Sequence, residues 1–139
     1  VVVRYKDGRL IKGTTRDFVP GKPTFHLEVL DSSEIEEIQV EDLKAVFFVK
    51  NFDGKPDYEE SRDFPPNPPA SKGRKIAVAF TDGEILTGYT LAYDPRRPGF
   101  FMMPTDEMSN NDRVYVVRSA VAEVGIGTKA DEILSRHIS

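Results

Sequence analysis

The chain contains no cysteine. Disulfides, thiolate catalysis and zinc–thiolate centres are thereby excluded. Tryptophan is absent too, and histidine occurs only as His26 and His137, too few for a histidine-rich metal cluster. No apolar run approaches the roughly 20 residues that a membrane-spanning helix needs. Positive charge is not in excess: 19 Lys and Arg stand against 23 Asp and Glu, and neither half carries the imbalance alone. Nucleic-acid binding usually leaves a basic footprint on one domain or face, so the composition disfavours it. No charged n-region followed by an apolar h-region opens the chain, and a cytoplasmic location is expected. The chain starts on Val1 rather than Met, which leaves an upstream segment open. What remains is a globular composition, 39% apolar and 30% charged over 139 residues.

What the sequence does have is itself, twice. Residues Val1–Val49 align without a gap on Ile76–Val124 at a constant offset of 75. Val3/Val78, Asp7/Asp82, Gly8/Gly83, Gly13/Gly88, Pro20/Pro95, Pro23/Pro98, Phe25/Phe100, Asp31/Asp106 and Ala45-Val46/Ala120-Val121 are identical pairs. An internal repeat fixes architecture before any motif does. The expected layout is a first small β unit over 1–50, a proline-rich linker over 51–74, a second β unit over 75–127 and a C-terminal helix over 128–139.

Each repeat reads as five short strands. Val1, Val3 and Tyr5 alternate toward a core, as do Ile76, Val78 and Phe80. Asp7-Gly8 and Asp82-Gly83 follow as hairpin signals of the type I′ kind. Gly13 and Gly88, inside the second strands, predict a bulge or a tight bend. Pro20-Gly-Lys-Pro23 and Pro95-Arg-Arg-Pro98 turn the chain into a third strand, and two further strands complete each copy. The linker run Pro65-Pro66-Asn67-Pro68-Pro69 suits a stiff tether and also fits the pattern that aromatic grooves bind. Ala130, Ile133, Leu134 and His137 or Ile138 make one stripe of a helix too short to stand alone.

The fifth strand departs from a half-exposed pattern. Ala45-Val-Phe-Phe-Val49 is apolar on both faces, whereas the gapless alignment puts Glu123 opposite Phe48. By parity Phe48 and Val46 are expected near an outward surface that another part of the chain, or another subunit, covers.

The run from Asp7 to Phe18, with Gly13 inside it, followed by Phe25-His26-Leu27, resembles the first motif of Sm-like proteins. Asp82-Gly83, Gly88, Tyr93-Asp94 and Phe100-Phe101 repeat it. The resemblance implies small, strongly bent five-stranded barrels of the Sm or SH3-like kind, so the expected fold is all-β with two tandem barrels and a short helix. The family's RNA site does not carry over. Pro23 and Pro98 stand at the base-contacting loop position, and Lys44-Ala45 and Ser119-Ala120 replace the Arg-Gly of the second motif. The tandem pattern also resembles an uncharacterised bacterial family of duplicated small β domains, through Lys44–Lys50, Gly99–Phe101 and Asn110-Asn111. The phosphate-gripping strings of the PilZ receptors are absent.

No catalytic triad, carboxylate pair, metal set or cofactor motif can be assembled, so no catalytic, metal or cofactor-binding residue is expected. His26 reads as an ordinary strand histidine near Glu28. The leading expectation is a non-catalytic interaction or assembly module that binds protein or itself. Its candidate surface is Phe48, Val46, Arg96 and Arg97. Alternatives are Sm-like nucleic-acid binding, and anion or nucleotide sensing through the Arg96-Arg97 loop, since adjacent guanidiniums suit phosphate or carboxylate.

Overall fold

Both Asp-Gly turns form hairpins, but by a different turn from the expected one. In the computed structural model, which describes residues 1–52, 61–65, 73–106 and 108–138, Gly8 and Gly83 take positive φ while Asp7 and Asp82 do not. Gly8 N–H donates to Tyr5 O, and Tyr5 N–H to Arg9 O; Gly83 and Phe80 repeat the pattern. This is a turn closed by a glycine bulge, the three-residue hairpin solution. The Asp side chain serves a different purpose, accepting the backbone N–H of Arg9 in one copy and Glu84 in the other, each at 2.9 Å.

The hairpins belong to one open, antiparallel, ten-stranded sheet. The strands are β1 (Val2–Tyr5), β2 (Leu10–Thr14), β3 (Thr24–Val29), β4 (Ile35–Gln39), β5 (Leu43–Val49), β6 (Arg74–Phe80), β7 (Ile85–Thr90), β8 (Gly99–Pro104), β9 (Asn111–Val117) and β10 (Val121–Ile126). Their spatial order is β10-β6-β7-β8-β9-β5-β1-β2-β3-β4. The first five strands run β5-β1-β2-β3-β4 and the last five β10-β6-β7-β8-β9, the same order in each half. The halves are not separate units on a tether. β9 pairs directly with β5, Val46 opposite Tyr115 and Phe47 opposite Val114, and the sheet stays unclosed at β10 and β4.

The reason lies in the apolar fifth strand. Leu43 and Val46 point into one core with Val3, Tyr5, Phe25, Leu27, Ile38, Tyr115 and Val117. Ala45 and Phe47 point into a second core with Ile76, Val78, Phe80, Phe100, Met102, Val114 and Val116. Strands β5 and β9 are therefore buried on both faces, one face in each core. Two-sided burial of a strand calls for continuous rather than alternating apolar sequence, which is what Ala45–Val49 and Val114–Val117 supply.

The gapless alignment fails after the third strand. Val3 pairs with Val46 in β5, while its counterpart Val78 pairs with Val124 in β10. Val46 thus corresponds to Val124, not to the Val121 of the gapless alignment. The shift arises between the third and fourth strands: five residues, 30–34, lead to Ile35 in the first half, whereas eight, 105–112, lead to its counterpart Arg113 in the second. Both pairings break register at matching places, between Arg4 and Tyr5 and between Val121 and Glu123. The parity assigned to Phe48 falls with the alignment: its counterpart is Ile126, and Phe48 lies half-buried against the first core beside Val46.

Gly13 and Gly88, expected at a bulge or a tight bend, instead mark a close strand crossing, and no register shift falls on either. A Cβ on either would run into the facing strand's backbone, at Glu28 O and Met103 O, so the strands cross too closely for any side chain. The tail helix α1 (Thr128–Ile138) packs on β6 and β10. Ala130 and Ile133 lie against Ala77, Ala79 and Ile85, with Phe64 of the linker beside them. The proline run beyond Pro65 lies outside the described residues. Among the described residues no helix is long and apolar enough to cross a membrane.

Candidate functional site

Five aromatic rings meet where the halves join. Phe18 sits at the centre, with ring centroids 5.1 Å from Phe25, 5.7 Å from Phe48, 6.2 Å from Phe101 and 5.1 Å from Tyr115. The contacts are mostly edge-to-face, the geometry that the ring quadrupole favours. Phe18, Phe25 and Phe48 come from the first half; Phe101 and Tyr115 come from the second. Arg113 lays its guanidinium over Phe48 at 4.5 Å and Phe101 at 4.7 Å. A cation on two ring faces gains roughly 0.5–1 kcal/mol at an exposed site.

Tyr115 reaches this cluster because Gly99 makes room for it. A Cβ at Gly99 would overlap the phenol ring and hydroxyl. Burial raises the Tyr115 pKa above its usual value, and a hydrogen bond from the Gly21 backbone and the charge of Arg97 partly offset that.

A cleft of about 700 Å³ opens beside the cluster. Its walls come from β7, the β7–β8 loop, β8 and β9, with Pro20 at the rim. The lining is mainly apolar and aromatic, including Tyr93, Leu91, Phe101, Met103 and Tyr115; Arg97 and Arg113 supply the cations. Leu91 is 72% exposed. Tyr93 stacks edge-on against Phe100 at 4.9 Å and 86°, nearly duplicating the 5.1 Å, 88° contact of Phe18 with Phe25.

The sequence-derived surface separates on this geometry. Val46 is fully buried and cannot meet a partner, because it is the point where β5 pairs with both β1 and β9. Phe48 is half-covered by Phe18, Phe101 and Arg113. Arg96 is engaged locally: its Nε and Nη2 donate to Asp94 at 3.1 and 3.2 Å, and its backbone N–H donates to Asp94 Oδ1. Those bonds hold the Asp94 carboxyl below its usual pKa. Arg97 alone of the pair lines the cleft.

His26 is paired with different residues from those expected. Its Nδ1 lies 2.6 Å from Asp17 Oδ2, and its Nε2 lies 3.9 Å from Glu37. The Asp17 hydrogen bond raises its pKa, and the ring stands half-exposed on its strand. Among the described residues no group of three or more His, Asp or Glu could hold a metal. Pro23 and Pro98 come together in another cleft, where Lys22 and Arg118 are accompanied by Glu41.

Sequence reasoning missed Arg113, Tyr115, Tyr93 and Phe18 as site residues. The repeated pairs Phe18/Tyr93 and Phe25/Phe100 carried a signal for the ring contacts. Arg113 carried none, because the gapless alignment placed it opposite Ile38, whereas the pairing registers match it to Ile35.

Residues 1–127 match the Family of unknown function (DUF6982), and the chain belongs to it. No curated protein and no solved structure matches the chain.

Proposed function

For a member of a family without an assigned activity, we propose a duplicated, non-catalytic assembly module that extends its sheet by taking a further copy of the same chain. Each half is read as a bent five-stranded unit of the Sm/SH3-like kind, supported by the shared strand order and by the two separate cores. The reading keeps a cytoplasmic setting, and the net charge of −4 fits a protein rather than a nucleic-acid partner.

One observation carries the assembly reading. The strands at the two open edges, β4 and β10, are the counterparts of β9 and β5, the two strands already joined in the interior. A second chain could repeat that junction, with Val124–Glu37 taking the place of Val46–Tyr115. Such a contact is heterologous, so it produces a ring if the rotation closes and a filament if it does not. Glu36 and Glu37 on β4 guard the edge against indiscriminate pairing and leave the matched strand as the favoured partner.

The bonds Val40 N–H to Pro23 O and Val29 N–H to Glu34 O assign the even-numbered residues of β4 to its ladder with β3. The N–H of Glu37 therefore faces the open edge. Proline at 37 removes that donor and leaves the β3 ladder intact. Light scattering after size exclusion is expected to show an oligomer for the natural chain and a folded monomer for Glu37→Pro. A natural chain that stays monomeric at hundreds of micromolar would overturn the reading.

A further inference from the structure

The cleft beside the aromatic junction has a chemistry that assembly does not use. It lies on the β7–β9 face, away from both edge strands. Its cations are poorly matched by the protein itself. Among the described residues neither Arg97 nor Arg113 forms an ion pair: Arg113 rests on two phenyl rings, and Arg97 N–H bonds only the backbone of Asp94. The lining carboxylate, Asp94, is bonded to Arg96 and feels the charge of Arg97 only through space. The charge of Arg97 is felt at the buried Tyr115 hydroxyl, where it favours the ionised form. The cleft thus brings two arginines together with partly exposed aromatic rings, Tyr93 and Phe101, in one lining.

We propose that this cleft binds a small planar anion of the nucleoside-phosphate class, its ring against the aromatic wall and its phosphate between Arg97 and Arg113. Three features select that class over others. Guanidinium forks match phosphate oxygens in pairs. Any nucleobase offers a π face to an aromatic side chain, a stack worth roughly 1–3 kcal/mol per base in single-strand binders. The volume of about 700 Å³ falls within the roughly 300–1,000 Å³ usual for small-molecule sites. An inorganic anion would leave Tyr93, Leu91 and Met103 unused, and an uncharged apolar ligand would leave both arginines unanswered.

Isothermal titration of the full chain with AMP, GMP, adenosine and inorganic phosphate separates these cases. The nucleotides are expected to bind at least tenfold tighter than either adenosine or phosphate alone, with affinity falling as salt rises. Arg97→Gln alters an exposed side chain and should weaken AMP tenfold or more without shifting the melting temperature. Tyr93→Ala should weaken AMP and leave any residual phosphate binding unchanged. Because Arg113 also covers two rings, Arg113→Lys is the second charge test: it retains the cation and loses the fork, and it too should weaken AMP. Phosphate binding as tightly as AMP, or AMP binding equally well to the natural chain and Arg97→Gln, overturns the proposal. So does the absence of binding at millimolar ligand. Each readout is independent of oligomeric state, because Glu37→Pro should bind AMP as the natural chain does.

Discussion

Gly99 holds its position for a reason outside its own backbone. Its missing side chain is the space that the Tyr115 phenol occupies, and Tyr115 is 1% exposed between the two halves. Gly99→Ala places a methyl where the ring lies, and overpacking of this kind costs about 1–3 kcal/mol. The loss should appear as a lower urea midpoint. It should shrink in the Gly99→Ala/Tyr115→Leu double variant, because contacting sites are not additive. That Gly13 and Gly88 carry a backbone role was legible in the sequence, but the role was read as a bulge or bend, whereas the structure makes it a close crossing. The role of Gly99 was not legible, because Thr24 replaces it in the first copy and the reason for the glycine is a ring from β9. The candidate site was legible only in part for the same cause. Arg97 stood out beside Arg96, but the Asp94 bond that distinguishes them depends on side-chain placement, and Arg113 becomes a site residue only once β9 lies against β5.

Among the elements, β5 shows how a register break can be put to use. Lys44 stands at the bulge where β5 slips against β1, and the slip aims its side chain across the junction. Its ammonium is buried, with the side chain 8% exposed, and pairs with Glu84 and with Asp82 at 2.6 Å. It also lies 4.7 Å from the Phe80 ring. First-half β5 thereby clamps the β6–β7 turn of the second half. Lys44→Met should cost about 1–3 kcal/mol. The hydrogen bond from Lys44 is the main cause holding Asp82 below its usual pKa. A depressed carboxyl stabilises the fold above its unfolded pKa near 4 and loses that contribution as pH falls through the folded value. Urea melts between pH 7 and pH 2 should therefore bring the natural chain and Lys44→Met together at the acid end. Strand existence was readable from alternation and turns, as was the helix from its stripe. The pairing of the fourth and fifth strands was not, because three extra residues between the third and fourth strands move the second copy out of the gapless alignment, and sequence identity at Ala45/Ala120 masked the move.

At the scale of the whole molecule, the two halves share their central strands. Val46, Phe47, Val114, Tyr115 and Val116 are all buried where β5 meets β9. At roughly 1.5–3 kcal/mol for each large side chain, the junction contributes about 10 kcal/mol. A whole domain is typically stable by only about 5–15 kcal/mol. Neither half can keep its core once the junction opens, so calorimetry should give a single transition whose calorimetric and van't Hoff enthalpies agree. Two resolved transitions would show that the shared strands do not couple the cores.

The position of β5 along the chain sets the order in which these risks arise during synthesis. Leu43–Val49 leaves the ribosome well before Asn111–Val117, its permanent neighbour. Until then a strand apolar on both faces has β1 on one side and nothing on the other. The pairing that completes the sheet is thus its most distant in sequence, and distant pairings form slowly. A nascent chain paused in the proline-rich segment would present an unsatisfied, sticky edge, the kind of surface that chaperones shield.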